Sequence, residues 1–197
     1  MKKLFFIAFI LSVFIPAPAQ AAADKYIYDP VHTQIVFSAS HLGFSFSQGK
    51  FNKFSGGFTF DQEKPETSQA EIIIDAGSLD MDSADWEKHL KSADFFNVEK
   101  FPVMNFKSTR VVKTGDKTAD VTGDFTLLGV TKPVTLKASF NKAGVHPFKK
   151  NYIAGFTLAG TLQRSDFGMT YGLPGISDEV RLAISVEGIR QDFTHAN

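Results

Sequence analysis

From about residue 30 onward, apolar and polar side chains alternate with a period of two, the pattern of strands with one buried face. In 118–127, Ala119, Val121, Phe125 and Leu127 share one face, and Thr118, Asp120, Thr122, Asp124 and Thr126 the other. In 132–140, Val134, Leu136, Ala138 and Phe140 alternate with Thr135, Lys137 and Ser139. In 152–162, Tyr152, Ala154, Phe156, Leu158 and Leu162 keep the same spacing, as do Val180, Leu182, Ile184 and Val186 in 179–187. Weaker versions at 33–39, 50–60, 70–76 and 102–112 bring the candidate strands to eight. Turn chemistry separates them, as at Thr114-Gly115-Asp116, Leu128-Gly129-Val130 and Lys142-Ala143-Gly144. Short connections imply antiparallel neighbours. One helical excursion is predicted near 83–96: Asp82 or Ser83 can cap it, Asp85 and Glu87 suit its first turn, and Trp86 and Leu90 form an i, i+4 apolar stripe.

Eight antiparallel strands with one apolar face predict an all-β, closed up-and-down barrel, with a two-sheet sandwich as the alternative. Strand length favours the barrel, because several candidates run well past the usual ~5–6 residues. A strand of about twelve residues, tilted by about 40°, gives a barrel roughly 30 Å tall. A barrel of this strand number is filled by side chains or holds one ligand. The inward positions, which would line a ligand's apolar tail, are Phe37, Phe58, Phe60, Ile72, Ile74, Phe106, Val121, Phe125, Leu127, Leu136, Phe140, Phe156, Leu158, Leu182, Ile184 and Val186. A one-residue slip in register would exchange the two faces.

The first residues follow a different pattern. Lys2 and Lys3 precede an apolar run from Leu4 to Ile15, then come Pro16, Pro18 and the small-x-small sequence Ala19-Gln20-Ala21. This is the grammar of a cleaved secretory signal over 1–21, too short for the ~20 apolar residues of a spanning helix. The expected mature unit is a single barrel domain over 22–197, with no transmembrane segment. Absence of Cys excludes disulfides, thiolate metal sites and Cys nucleophiles, and with the leader points to a bacterial periplasm. Lys plus Arg and Asp plus Glu stand at 21 each, so a nucleic-acid partner is not expected. The 21 Phe residues must go into a core, a cavity or an interface.

Chemical motifs are sparse. Gly43-Phe44-Ser45-Phe46-Ser47 lacks the second Gly of a nucleophile elbow, and Gln48 stands where a phosphate loop needs Gly. His32, His41 and His89 could meet a carboxylate at a metal, but no helical or hairpin spacing pairs them; hydrogen-bonding roles are favoured, and neither metal nor cofactor is expected. Alternate loops share a barrel end. One end collects Phe44, Phe46, Trp86, Leu128, Val130, Phe167, Met169, Tyr171, Leu173, Pro174 and Ile176; the other collects Lys64, Glu66, Lys113, Asp116, Lys117, Lys142, Lys149 and Lys150. The apolar end is the expected ligand mouth, the alternative being a plug packed under the helix. His41, Phe44, Trp86, His89, Lys132, Arg164, Asp166 and Tyr171 are its head-group and rim candidates. Arg suits phosphate because its donors form a planar fork; a bond from Arg164 to Asp166 or to backbone is the equal alternative.

The chain resembles the YceI-like family of secreted, lipocalin-like polyisoprenoid-binding proteins over about 26–190. The resemblance rests on His32-Thr33-Gln34-Ile35 with His41, Gly49-Lys50-Phe51 leading to Phe54-Ser55-Gly56, and Asp85-Trp86-Glu87-Lys88-His89-Leu90 through Asp94-Phe95-Phe96 to Phe101-Pro102. It continues in Gly123-Asp124-Phe125-Thr126, Gly129-Val130-Thr131-Lys132-Pro133-Val134 and Arg164-Ser165-Asp166-Phe167-Gly168. Asp85-Trp86 departs from the Arg-Asp often found there. The resemblance implies a barrel around an extended isoprenoid, such as a polyprenyl phosphate or a quinone, or another long-chain amphiphile, and no established catalysis. The expected role is a periplasmic, non-enzymatic carrier, working in transport or in lipid buffering during stress, as monomer or homodimer. Each buried CH₂ contributes ~0.8 kcal/mol, so tail specificity should be loose and limited by cavity length. Two rivals remain: a lipid-modifying hydrolase or isomerase using His41 or His89 beside an oriented carboxylate, and a filled barrel whose rim docks another protein.

Overall fold

The computed structural model describes residues 23–191; the expected leader lies outside them. Eleven strand segments form one sheet: β1 (Asp24–Tyr28), β2 (Gln34–His41), β3 (Ser45–Phe51), β4 (Phe54–Phe60), β5 (Gln69–Asp75), β6 (Leu79–Asp80), β7 (Val103–Lys113), β8 (Thr118–Leu127), β9 (Val130–Val145), β10 (Tyr152–Gln163) and β11 (Ile176–Arg190). They reduce to eight staves, because β1 continues into β2, β3 into β4 and β5 into β6. Each stave is antiparallel to the next. The last, β11, closes the ring by pairing with β1 (Tyr28 opposite Gly188) and β2 (Ile35 opposite Ile184). The fold is therefore an eight-stranded closed antiparallel barrel with one helix, α1 (Ala84–Lys91).

The three composite staves break side by side, each for a local reason. After β1, Pro30 has no N–H to give a ladder, and Asp29 Oδ1 accepts from the Val31 N–H in a tight turn. Between β3 and β4, the Asn52 N–H turns to Ser78 O and the Lys53 N–H to Ser78 Oγ. Those acceptors come from the 3₁₀ turn 76–78 that separates β5 from β6. One stave's break thus satisfies the backbone of its neighbour's, as buried or bridged polar groups require.

Beyond Asp80 the third stave runs out, and residues 45–49 of β3 pair only with β2. The segment 81–98, with α1 inside it, fills that place. Trp86 and Leu90, the stripe read from the sequence, both line the barrel cavity, Trp86 with 44% of its surface exposed. Two-residue turns at Leu42-Gly43 and Leu128-Gly129 put both residues at positive φ, the mirror-image hairpin geometry that matches strand twist.

The strands read from alternation sit where expected, β8 with the predicted bounds. β9 and β11 run several residues beyond the stretches read, and two further stretches of strand were missed. Alternation also runs through β1, where Tyr26 is buried and Lys25 and Ile27 are exposed. The expected loop 40–49 is mostly the first half of β3. Its pattern is inverted: Phe46 lies outside, 4.4 Å beneath the Arg181 guanidinium, while Ser47 lines the cavity and Gly49 lies against Met81 and Phe37.

Candidate functional site

The inward faces of the staves do not fill the barrel. They enclose a cavity of about 600 Å³, within the ~300–1,000 Å³ of small-molecule sites. All sixteen inward positions read from the sequence are on its wall: Phe37, Phe58, Phe60, Ile72, Ile74, Phe106, Val121, Phe125, Leu127, Leu136, Phe140, Phe156, Leu158, Leu182, Ile184 and Val186. The Phe side chains form two stacks. Phe58, Phe60, Phe140 and Phe156 meet with ring centroids 5.0–5.5 Å apart. Phe37, Phe51 and Phe96 meet on the side covered by the helical segment, at 5.4–6.1 Å. Such edge-on and tilted contacts fix ring orientation while leaving the axis open.

At one end the wall reaches His41, Trp86 and His89; at the other it reaches Gln62, Glu63, Asp116 and Lys117. The apolar end is partly packed. Phe95, Phe96, Phe167 and Met169 are buried there, Phe167 against Phe125 at 5.5 Å. That packing belongs to the plug alternative, while Trp86 and Tyr171, 44% and 47% exposed at the same end, belong to the mouth.

The rim candidates separate accordingly. His41, Trp86, His89 and Arg164 line the cavity. Phe44, 88% exposed at the Leu42-Gly43 turn, does not. Lys132 and Asp166 are exposed and off the wall: Lys132 lies near the end of β9, where the ladder opposes it to Phe125, and Asp166 belongs to the 3₁₀ turn 164–167. Tyr171 caps rather than lines, packing on His89 at 5.4 Å and Phe95 at 5.2 Å.

Arg164 is only 2% exposed, and its fork is engaged. Nε donates to Ser177 O at 2.9 Å, Nη1 to Met169 O at 3.0 Å and Nη2 to Ile176 O at 3.0 Å. The guanidinium ties the 164–177 segment to itself through backbone bonds, the alternative weighed above, instead of offering its fork to a phosphate. Beside it, the Asp178 carboxylate accepts from Ser165 Oγ at 2.6 Å and Ser165 N at 2.8 Å. These bonds hold Asp178 below its ordinary pKa against the opposing cost of desolvation.

The histidines do not converge. His32 meets Asp29 (Nδ1 to Oδ2, 2.9 Å) and approaches Glu187 (3.8 Å), at the break between β1 and β2. These three offer ligand atoms within 4.8 Å of one another, but Lys149 Nζ already lies 3.9 Å from the same Asp29 oxygen. His89 Nε2 stands 3.8 Å from Asp94 at the surface.

Several polar wall groups escaped the sequence reading, Ser68 and Tyr28 among them. The Ser68 hydroxyl, towards the polar end, has no partner among the described residues. Tyr28 also lines the cavity, and its hydroxyl makes no hydrogen bond among the described residues. The alternation of Tyr26 and Tyr28 with Lys25 and Ile27 carried the signal for the second.

A closed eight-stave barrel around an apolar cavity, capped by a short helical segment, defines the lipocalin-like class of barrels. The YceI-like domain model matches residues 26–188, and the chain belongs to that family. A UPF0312 protein of Pseudomonas aeruginosa is 44% identical over 190 residues, covering 96% of this chain and 98% of the relative. One from Pseudomonas putida is 44% identical over 193 residues, covering 97% and 100%. Among solved structures, Burkholderia cenocepacia BcnA matches with a TM-score of 0.74 at 22% identity over 81% of this chain and 98% of that one. The YceI protein of Campylobacter jejuni matches at 0.69 and 28% identity, over 78% and 90%. A polyisoprenoid binding domain from Saccharophagus degradans matches at 0.64 and 13%, over 85% and 99%. At 22% and 13% identity, BcnA and the Saccharophagus domain speak for the fold alone.

Proposed function

We propose that the protein is a periplasmic carrier that holds one isoprenoid lipid, a polyprenyl phosphate or an isoprenoid quinone, with its chain inside the barrel. The observation that carries this reading is the unfilled apolar cavity itself. A barrel that existed only to present its rim would close its core to native density, because empty apolar space forfeits packing energy. A cavity walled by Phe, Leu, Ile and Val gains free energy by taking up a chain of matching section. The name of the Saccharophagus domain, which shares the fold, agrees with an isoprenoid occupant. The leader read over 1–21 supports secretion, and enclosure of an apolar chain supports carriage or buffering of lipid between membranes.

The test is native mass spectrometry of protein purified from the periplasm of its own host, with extraction of the bound material. One lipid per barrel, lost on organic extraction and regained from added polyprenol, is the expected result. A barrel that emerges empty and takes up no chain overturns the reading.

A further inference from the structure

Tyr28 sits on the cavity wall with rings on two sides, Phe58 at 5.8 Å and Phe54 at 6.3 Å between centroids. A Phe there would make the same ring contacts, yet the residue carries a hydroxyl. That hydroxyl makes no hydrogen bond among the described residues. The nearby wall group of the same kind is spent: Thr33 Oγ1 donates to Glu187 O and accepts from the Glu187 N–H. The hydroxyl is thus a free donor on the wall of an apolar cavity, open to whatever the cavity holds.

We propose that Tyr28 is a specificity-determining residue of the cavity: its hydroxyl donates to an uncharged acceptor oxygen, a ketone or quinone carbonyl, carried by the apolar ligand. The surroundings select the uncharged acceptor. Desolvation alone pushes the phenol well above its ordinary value of 10.0, and no charged group acts on it from any neighbouring stave. A phosphate placed beside Tyr28 would be an uncompensated anion in apolar surroundings, which is costly; a carbonyl there needs one donor and has one. A ligand so held is fixed in depth along the barrel, which apolar burial by itself does not do.

This inference rests on the lipid-binding reading, and the experiment separates the two. Wild type and Tyr28→Phe are titrated with farnesylacetone, farnesyl phosphate and squalene, following the fluorescence of Trp86, the single Trp, which lines the cavity. The expected result is a loss of roughly tenfold in farnesylacetone affinity in Tyr28→Phe, equivalent to about 1.4 kcal/mol, with squalene and farnesyl phosphate unchanged. The carbonyl stretch of bound farnesylacetone should fall in frequency in wild type and return in the variant. Because the variant removes an unpartnered hydroxyl and no contact, its melting temperature should stay level or rise. Equal farnesylacetone affinity in both proteins overturns the role of Tyr28 and leaves the cavity reading standing. Failure of wild type to bind any of the three overturns both.

Discussion

Arg164 shows how a charged side chain can be placed inside an apolar barrel end. Its three bonds to the carbonyls of Met169, Ile176 and Ser177 give the guanidinium partners and give those carbonyls donors. Arg164→Ala removes all three together and opens a void; the expected loss is about 2–4 kcal/mol, read from urea unfolding. Arg164→Lys should recover only part, because an ammonium cannot span three carbonyls held in a fork. Asp178 adds a pH dependence. Ser165 holds its carboxyl below the ordinary 3.8, so Asp178 contributes stability above that pH, lost as pH falls through the lower folded value. In wild type the unfolding midpoint should therefore fall in acid, and Asp178→Asn should make that limb shallower as pH drops through and below the ordinary carboxylate value. The sequence offered Arg164 either to a ligand phosphate or to the backbone, and residue type could not choose. The choice was made by contacts between 164 and 177, a loop whose path alternation does not encode. Lys132 and Asp166 were grouped with Arg164 for the same reason, being near in sequence to the end of a strand.

At the level of elements, the barrel is continuous except where β3 has one partner fewer. The segment 81–98 stands in for the missing stave, and Gly49 is what lets it approach. A Cβ at Gly49 would lie 2.3 Å from Met81 Sδ and 2.6 Å from Phe37 Cζ, well inside contact distance. Met81 can yield, but Phe37 is held by its contacts with Phe51 and Phe96. Gly49→Ala should cost about 1–3 kcal/mol, as overpacking does, and should displace the helical segment before the strands. Trypsin cleavage after Lys88 or Lys91 should then quicken, while cleavage in the β8–β11 strands stays slow. Period-two alternation read β8 to its ends because both faces obey the rule there. It missed the first half of β3 because that edge reverses the rule: small residues face inward to admit Met81 and Phe37, and Phe46 goes outside under Arg181.

For the whole molecule, alternation fixes which face of each strand turns inward but says nothing about how much space the inward side chains leave. Sixteen wall positions were legible; the cavity they enclose was not, because its volume depends on the small residues set among the large ones. Ala119 and Ala138 are direct cross-strand partners, both on the wall, and Ala138 also opposes Leu158 on the next stave. At that level the two methyl groups set the width. If a chain lies along the axis, Ala138→Phe should obstruct it there without unfolding the barrel, since the ring enters existing space. The melting temperature of the variant should hold or rise, in keeping with a filled void. Loaded from a mixture of polyprenols of graded length and weighed by native mass spectrometry, wild type should retain long chains. Ala138→Phe should retain only those short enough to lie on one side of the new ring. The same length distribution in both proteins would mean that the chain does not pass Ala138, and the width set by the two alanines would then have nothing to do with what is bound.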